Sequence, residues 1–196
     1  MMRTIAAICY WCGLLMWLSA LFASGVSAIF VFATLPELGV HLDRYAAYAP
    51  AENAAHAHSV LAGGHIMERI FTVSDFVQIT AAALIVTGML LKAPRFDRIR
   101  RPLADGVRMV LIGIACVLLI VHVGWRAPEF NRTLRDYWTH AAAGEMQLAA
   151  VADARLETLH HGLRMNLQIN AGLLMMVLLL SAAVTARRPD HGEGDD

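Results

Sequence analysis

At 196 residues, with 58% hydrophobic side chains and only 16% charged ones, the chain exceeds the roughly 45–50% apolar share of an ordinary soluble domain. Sixteen basic residues balance sixteen acidic ones, so the charge gives no reason to expect nucleic acid as a partner, and three cysteines make no disulfide framework. The composition fits a small integral membrane protein, because in hydrocarbon every backbone amide must be satisfied internally and an apolar run of about 20 residues does so as a helix.

The first apolar run extends from about Trp11 to Leu35 and stops at Pro36, which cannot continue a helix without losing a hydrogen bond. Arg3 and Val26-Ser27-Ala28 also fit a signal peptide and its cleavage site. The apolar core of such a peptide is about 7–15 residues, however, and this run passes straight through the site, so it reads as a span. Ser19, Ala23 and Ser27 recur at every fourth position, as do Ala20, Ser24 and Ala28. Small residues at that spacing let helices approach closely in lipid, which predicts packing on neighbours and a homo-oligomer through this helix. Cys9 and Cys12 have redox-pair spacing but open an apolar helix instead of following a strand, so they read as small packed residues.

From Pro36 to Ile70 the chain is mixed, with His41, His56, His58 and His65 among charges and tyrosines, and reads as a loop with one or two helical turns. The second span, about Ile70 to Leu91, carries Asp75 near its start. Glu68, Thr72, Asp75 and Gln78 share one face by the helical period. Lys92, Arg95, Arg98, Arg100 and Arg101 follow at once, and dense basic residues beside apolar segments mark the cytoplasmic side. An even number of spans then places both termini inside.

The third span, about Leu103 to Trp125, is featureless until His122, with Trp125 and Arg126 at its outer interface. Pro128 to Glu157 is extramembrane; its alanine-rich part, Ala141 to Ala154, is helical by propensity and positioned to run into the fourth span. That span, about His160 to Ala186, opens with His160, His161, Arg164, Asn166, Gln168 and Asn170. Glu157, His161, Arg164 and Gln168 form one stripe, with Asn166 and Asn170 on the opposite side.

Arg164 and Asp75 enter their spans at similar depth, and an unpaired charge at mid-bilayer costs roughly 2.5–3.5 kcal/mol on an insertion scale. The expectation is an Asp75–Arg164 ion pair, with Gln78, His122, His161 and Gln168 nearby in an outer-leaflet polar cluster. Such a cluster serves either as polar glue between helices or as a small-solute, ion or proton site. His65 with Glu68, His122, His160 and His161 are the candidate metal ligands, and His65, His122 and His160 or His161 the candidate axial ligands of a haem. No nucleophile and base arrangement, phosphate loop or HExxH motif appears, so the chain reads as no enzyme.

The runs WLSALFASGVSAIFVFATLPELG, AGGHIMERIFTVSDF, APEFNRTLR and LETLHHGLRMNLQINAG resemble the transmembrane-protein-205-like family and its bacterial relatives, four-span membrane proteins of unknown function. Gly25, Pro36, Phe71, His161 and Gly162 are the matching positions; the small polar residue expected a turn after the histidine is Arg164 here, and a later Asn is Gln168. The resemblance implies a four-span architecture, a Ser/Gly-rich first helix and no mechanism. A weaker likeness to copper-resistance membrane proteins, which also present His near helix ends, implies metal handling.

The resulting expectation is an all-α, integral membrane four-helix bundle in one domain, with both termini cytoplasmic in a bacterial inner membrane. Its spans fall at about 11–35, 70–91, 103–125 and 160–186, and a polar acidic tail occupies 187–196.

Overall fold

The structure, a computed structural model, describes residues 2–48, 54–92 and 103–186; the expected basic stretch after Lys92 and the acidic tail lie outside them. Helix α1 is Met2–Glu37. It takes Pro36 into its last turn, where few hydrogen bonds remain to be lost. It closes one residue later, with Gly39 at φ +59 and its N–H on the Pro36 carbonyl at 3.3 Å. A 3-10 turn over Asp43–Tyr45 follows.

Helix α2 is Ala54–Lys92. The segment expected as a loop up to residue 70 is therefore helical from residue 54, because nothing between His56 and Glu68 breaks a helix that a packed tertiary face supports. Helix α3 is Leu103–Val121, the next five residues, His122–Arg126, form a π-helical turn, and α4 is Ala127–Ala142. These three make one rod. Pro128 does not end it: proline lacks the N–H for an α-type bond and its ring crowds the carbonyl of Gly124, and the wider π turn before it relieves both faults. The rod stops at Gly144, which takes φ +72 and donates to the Ala141 carbonyl at 3.1 Å. Helix α5 then runs unbroken from Met146 to Ala186, so the alanine-rich stretch continues into the fourth apolar segment as expected apart from this turn.

Four helical rods are long and apolar enough to cross a membrane, and the fold is all-α. Helix α1 lies along α2, and α5 lies against α3 and α4 and touches α1. Close approach of α1 and α2 depends on two glycines. A Cβ on Gly13 would stand 2.6 Å from the Ala81 carbonyl oxygen, and one on Gly88 would stand 2.7 Å from that of Ala6.

The interior has two layers. In the apolar layer Tyr10, Leu14, Trp17, Ala81, Ile85, Ile112, Leu119, Leu174 and Val177 pack together. At its periphery Phe22, Ile29, Phe76, Val117, Ile120 and Leu179 point outward, an apolar surface that water does not favour. The second layer caps one end: Tyr45, Tyr48, Leu61, Leu134, Tyr137, Trp138, Ala149 and Leu156 form a separate core beneath the 38–48 loop.

Candidate functional site

The site lies where the apolar layer meets the cap. Trp17 of α1 donates its Nε1–H to Gln78 Oε1 at 3.2 Å, and Gln78 Nε2 reaches Ser74 Oγ at 3.2 Å and, more weakly, Asp75 Oδ1 at 3.5 Å. His122 Nε2 lies 3.0 Å from the same Asp75 oxygen; an ionised carboxylate only accepts, so the ring nitrogen donates. Ser74 donates to the Ala20 carbonyl at 3.2 Å, and Ser24 donates to it at 2.7 Å. Side chains of α1, α2 and the π turn after α3 are thus joined through one carboxylate and one amide. Gln78 is almost fully buried, and His122 and Ser74 are buried with it.

The sequence places Asp75, Gln78 and His122 in one cluster, and the structure brings these three together. His161, Arg164 and Gln168 stand exposed on α5. The expected Asp75–Arg164 ion pair does not form: Asp75 pairs with His122, and among the described residues Arg164 makes no ion pair. The physical reason is a competing stripe. Ala149, Ala152, Leu156, Asn166, Asn170, Leu174, Val177 and Ser181 are buried at the spacing of a single helix face, and the Glu157–Gln168 stripe lies off it. Asn166 and Asn170 consequently point inward, and Asn166 Nδ2 donates to the Leu118 carbonyl at 3.3 Å, one turn from His122. Trp17, Ser74, Asn166 and Asn170 are the members that sequence reasoning missed. The signal for the asparagines was present, since extending the apolar spacing of Leu174, Val177 and Ser181 backwards lands on them.

Among the described residues four buried side-chain polar atoms have no protein partner: Trp138 Nε1 in the cap, and His122 Nδ1, Asn166 Oδ1 and Asn170 Oδ1. The last three lie on facing elements, α5 and the π turn after α3, and π turns within α-helices recur at functional sites. A second polar group, unforeseen, sits toward the other end of the apolar layer. There Tyr10 Oη and Ser181 Oγ are 2.8 Å apart, Arg108 donates to Ser181 Oγ at 3.3 Å, and Arg108 pairs with Asp105.

The histidines of the 36–70 segment organise the cap. His58 Nδ1 accepts the Leu42 N–H at 3.1 Å, which fixes the ring as the Nε2–H tautomer donating to the Tyr48 carbonyl at 3.1 Å. His41 stacks on that ring at 4.8 Å. His65 Nε2 lies 2.8 Å from Tyr45 Oη and its ring stacks on Trp138 at 3.7 Å. Burial pushes the Tyr45 phenol above its ordinary pKa, an effect the nearby Arg44 partly offsets. Among the described residues no three His, Cys, Asp or Glu side chains converge as a metal site requires. The proposed ligands are dispersed accordingly: His65 and Glu68 on α2, His122 at the π turn, and His160 and His161 exposed on α5. Cys9, Cys12 and Cys116 are free thiols.

Beside the π turn, an open cleft of about 370 Å³ separates it from α5, with Arg126 and Glu129 on one wall and Thr158 and Leu163 on the other. Arg126 Nη1 donates across it to the Gly162 carbonyl at 2.7 Å. No protein-family model, curated protein or solved structure matches the chain.

Proposed function

We propose that the chain is a multi-pass membrane protein of a bacterial inner membrane, with both termini cytoplasmic, acting without catalysis as a structural or accessory bundle. The observation that carries this reading is the bond network from Trp17 through Gln78 and Asp75 to His122, which spends polar side chains on holding three helices in register. The apolar periphery supports insertion in lipid, and the basic run Lys92–Arg101 supports the orientation. The four-span resemblance to the transmembrane-protein-205-like family agrees with it. Self-association would use the outward small residues Ser19 and Ala23 of α1, whose companions Ala20 and Ser24 are buried against α2.

A second reading, handling of a proton, small solute or metal ion, is favoured by one observation: among the described residues His122 Nδ1, next to Asp75, and Asn166 Oδ1 and Asn170 Oδ1 on α5 are buried without protein partners. A thermal-unfolding screen of the purified protein in detergent, run across pH and with copper, zinc and haem, separates the two. A ligand that binds only the folded state raises its stability, so a selective rise supports handling and a flat response supports the structural role.

A further inference from the structure

We propose that the cleft between the π turn and α5 binds the headgroup of a phospholipid carrying a primary ammonium, with the phosphate on Arg126 and the ammonium on Glu129. The proposal rests on the membrane reading above and adds a ligand to it.

The two walls run antiparallel, yet both change from apolar to polar in the same direction. On one side the chain passes from Val121 to Arg126 and Glu129, and on the other from Leu163 to Thr158. A cleft graded in this way suits a ligand with an apolar and a polar end. It also lies at the boundary between the apolar layer and the cap, where the exposed Trp125 forms its rim, a position typical of interfacial tryptophan.

The charges narrow the headgroup. Arg126 commits Nη1 to the Gly162 carbonyl, and as an exposed side chain it offers the rest of its donor fork to a phosphate. Glu129 receives Arg155 on Oε1 at 3.2 Å, and among the described residues nothing donates to its other carboxylate oxygen. The two residues are spaced i, i+3 on the rod and are not paired with each other among the described ion pairs, so a cation and an anion stand about one turn apart. Free phosphate would gain from Arg126 and be repelled by Glu129 to the extent that Arg155, bound to one of its oxygens, leaves the carboxylate charge uncompensated. An ethanolamine phosphate turns that repulsion into an attraction, its two-carbon bridge holding opposite charges at short range. A choline headgroup has the charge but no N–H to donate.

The test uses the full chain in detergent, with short-chain phosphatidylethanolamine, phosphatidylcholine, phosphatidylglycerol and inorganic phosphate as probes, read by thermal unfolding and by lipid retention in native mass spectrometry. The ethanolamine lipid should bind tightest, by about two- to fivefold over the choline lipid, the range one exposed charge-assisted hydrogen bond to the Glu129 carboxylate supports. Glu129→Gln should erase that preference while leaving choline-lipid binding in place. Arg126→Gln should weaken every lipid, and Arg164→Gln, outside the cleft, should change nothing. Equal binding of all headgroups, a preference that survives Glu129→Gln, or stabilisation by inorganic phosphate alone would overturn the proposal. Flotation with vesicles separates this from failure of the membrane reading. Protein that floats with every composition but shows no headgroup preference sinks only the cleft, whereas protein that stays soluble without detergent and floats with none sinks both.

Discussion

Asp75 and His122 face each other across 3.0 Å in a setting with little water, their side chains being 20% and 9% exposed. Removing one partner from such a pair leaves the other buried and unsatisfied, which costs about 3–5 kcal/mol when burial is complete. Asp75→Asn and His122→Gln should therefore each lower the unfolding midpoint in detergent, and the double variant should lose much less than the sum. Strict additivity in that cycle would show that the pair carries no coupling. Arg164→Gln is the contrasting case, because an exposed arginine with no described ion pair predicts a change within about 0.5 kcal/mol. Tyr45 supplies a pH prediction in the cap. Its phenol is raised above 10.0 in the folded chain, so above that pH the unfolded state loses its proton first and stability falls as pH rises; below it the contribution is fully present. The cap's stability, followed by tryptophan fluorescence, should fall in alkali, and Tyr45→Phe should weaken that dependence without abolishing it, because Tyr48 and Tyr137 are buried in the same core. At this scale the sequence is informative where a polar group sits in an apolar run, as Asp75, Gln78 and His122 do. It is silent about partner choice: Asp75 takes the neighbour its helix face meets, and Arg164 can stay outside because a long side chain keeps its head in water.

Between elements, the decisive quantity is how closely backbones approach. Gly13 and Gly88 lie where α1 and α2 nearly touch, and an added methyl at either would press on a main-chain oxygen below 3.0 Å, a contact relieved only by moving a helix. Gly88→Ala should cost about 1–3 kcal/mol as overpacking. Gly113→Ala, at an exposed helical position where a Cβ meets nothing within 4 Å, should instead be neutral or stabilise by roughly 0.5–1 kcal/mol through backbone entropy. Parallel midpoint shifts for the two variants would refute the close-packing account. The same scale explains what the sequence hid. Apolar runs reveal four spans, but not that α2 begins at Ala54 or that the rod through α3 continues past Pro128 to Ala142, because both extensions depend on the cap core that covers them. The two candidate stripes on α5 have the same spacing, and only the one continuous with the alanine face above and the leucine face below is buried.

For the whole molecule the question is which end faces the cytoplasm. Each rod is 36 residues or more, with α5 at 41, about 60 Å at the helical rise, while the hydrocarbon core of a bilayer is about 30 Å thick. In a bilayer the rods would overshoot, and the cap is where they would do so together: His58, Tyr137 and Trp138 build a polar-rimmed core that gains nothing from lipid. The cap-side segment from Arg126 to Glu157 intersperses Arg126, Arg132, Arg135 and Arg155 with Glu129, Asp136, Glu145, Asp153 and Glu157, whereas Lys92, Arg95, Arg98, Arg100 and Arg101 face Asp97 alone. On the membrane reading proposed above, the denser basic cluster, five Lys and Arg within residues 92–101, would mark the cytoplasmic face and leave the cap on the opposite side. In a cysteine-free background, Gln147→Cys on the exposed start of α5 should react with a membrane-impermeant maleimide on intact cells. His191→Cys in the acidic tail should react only after permeabilisation. The reverse pattern would invert the topology and move the lipid-binding cleft to the cytoplasmic leaflet, leaving its Arg126 and Glu129 chemistry unchanged.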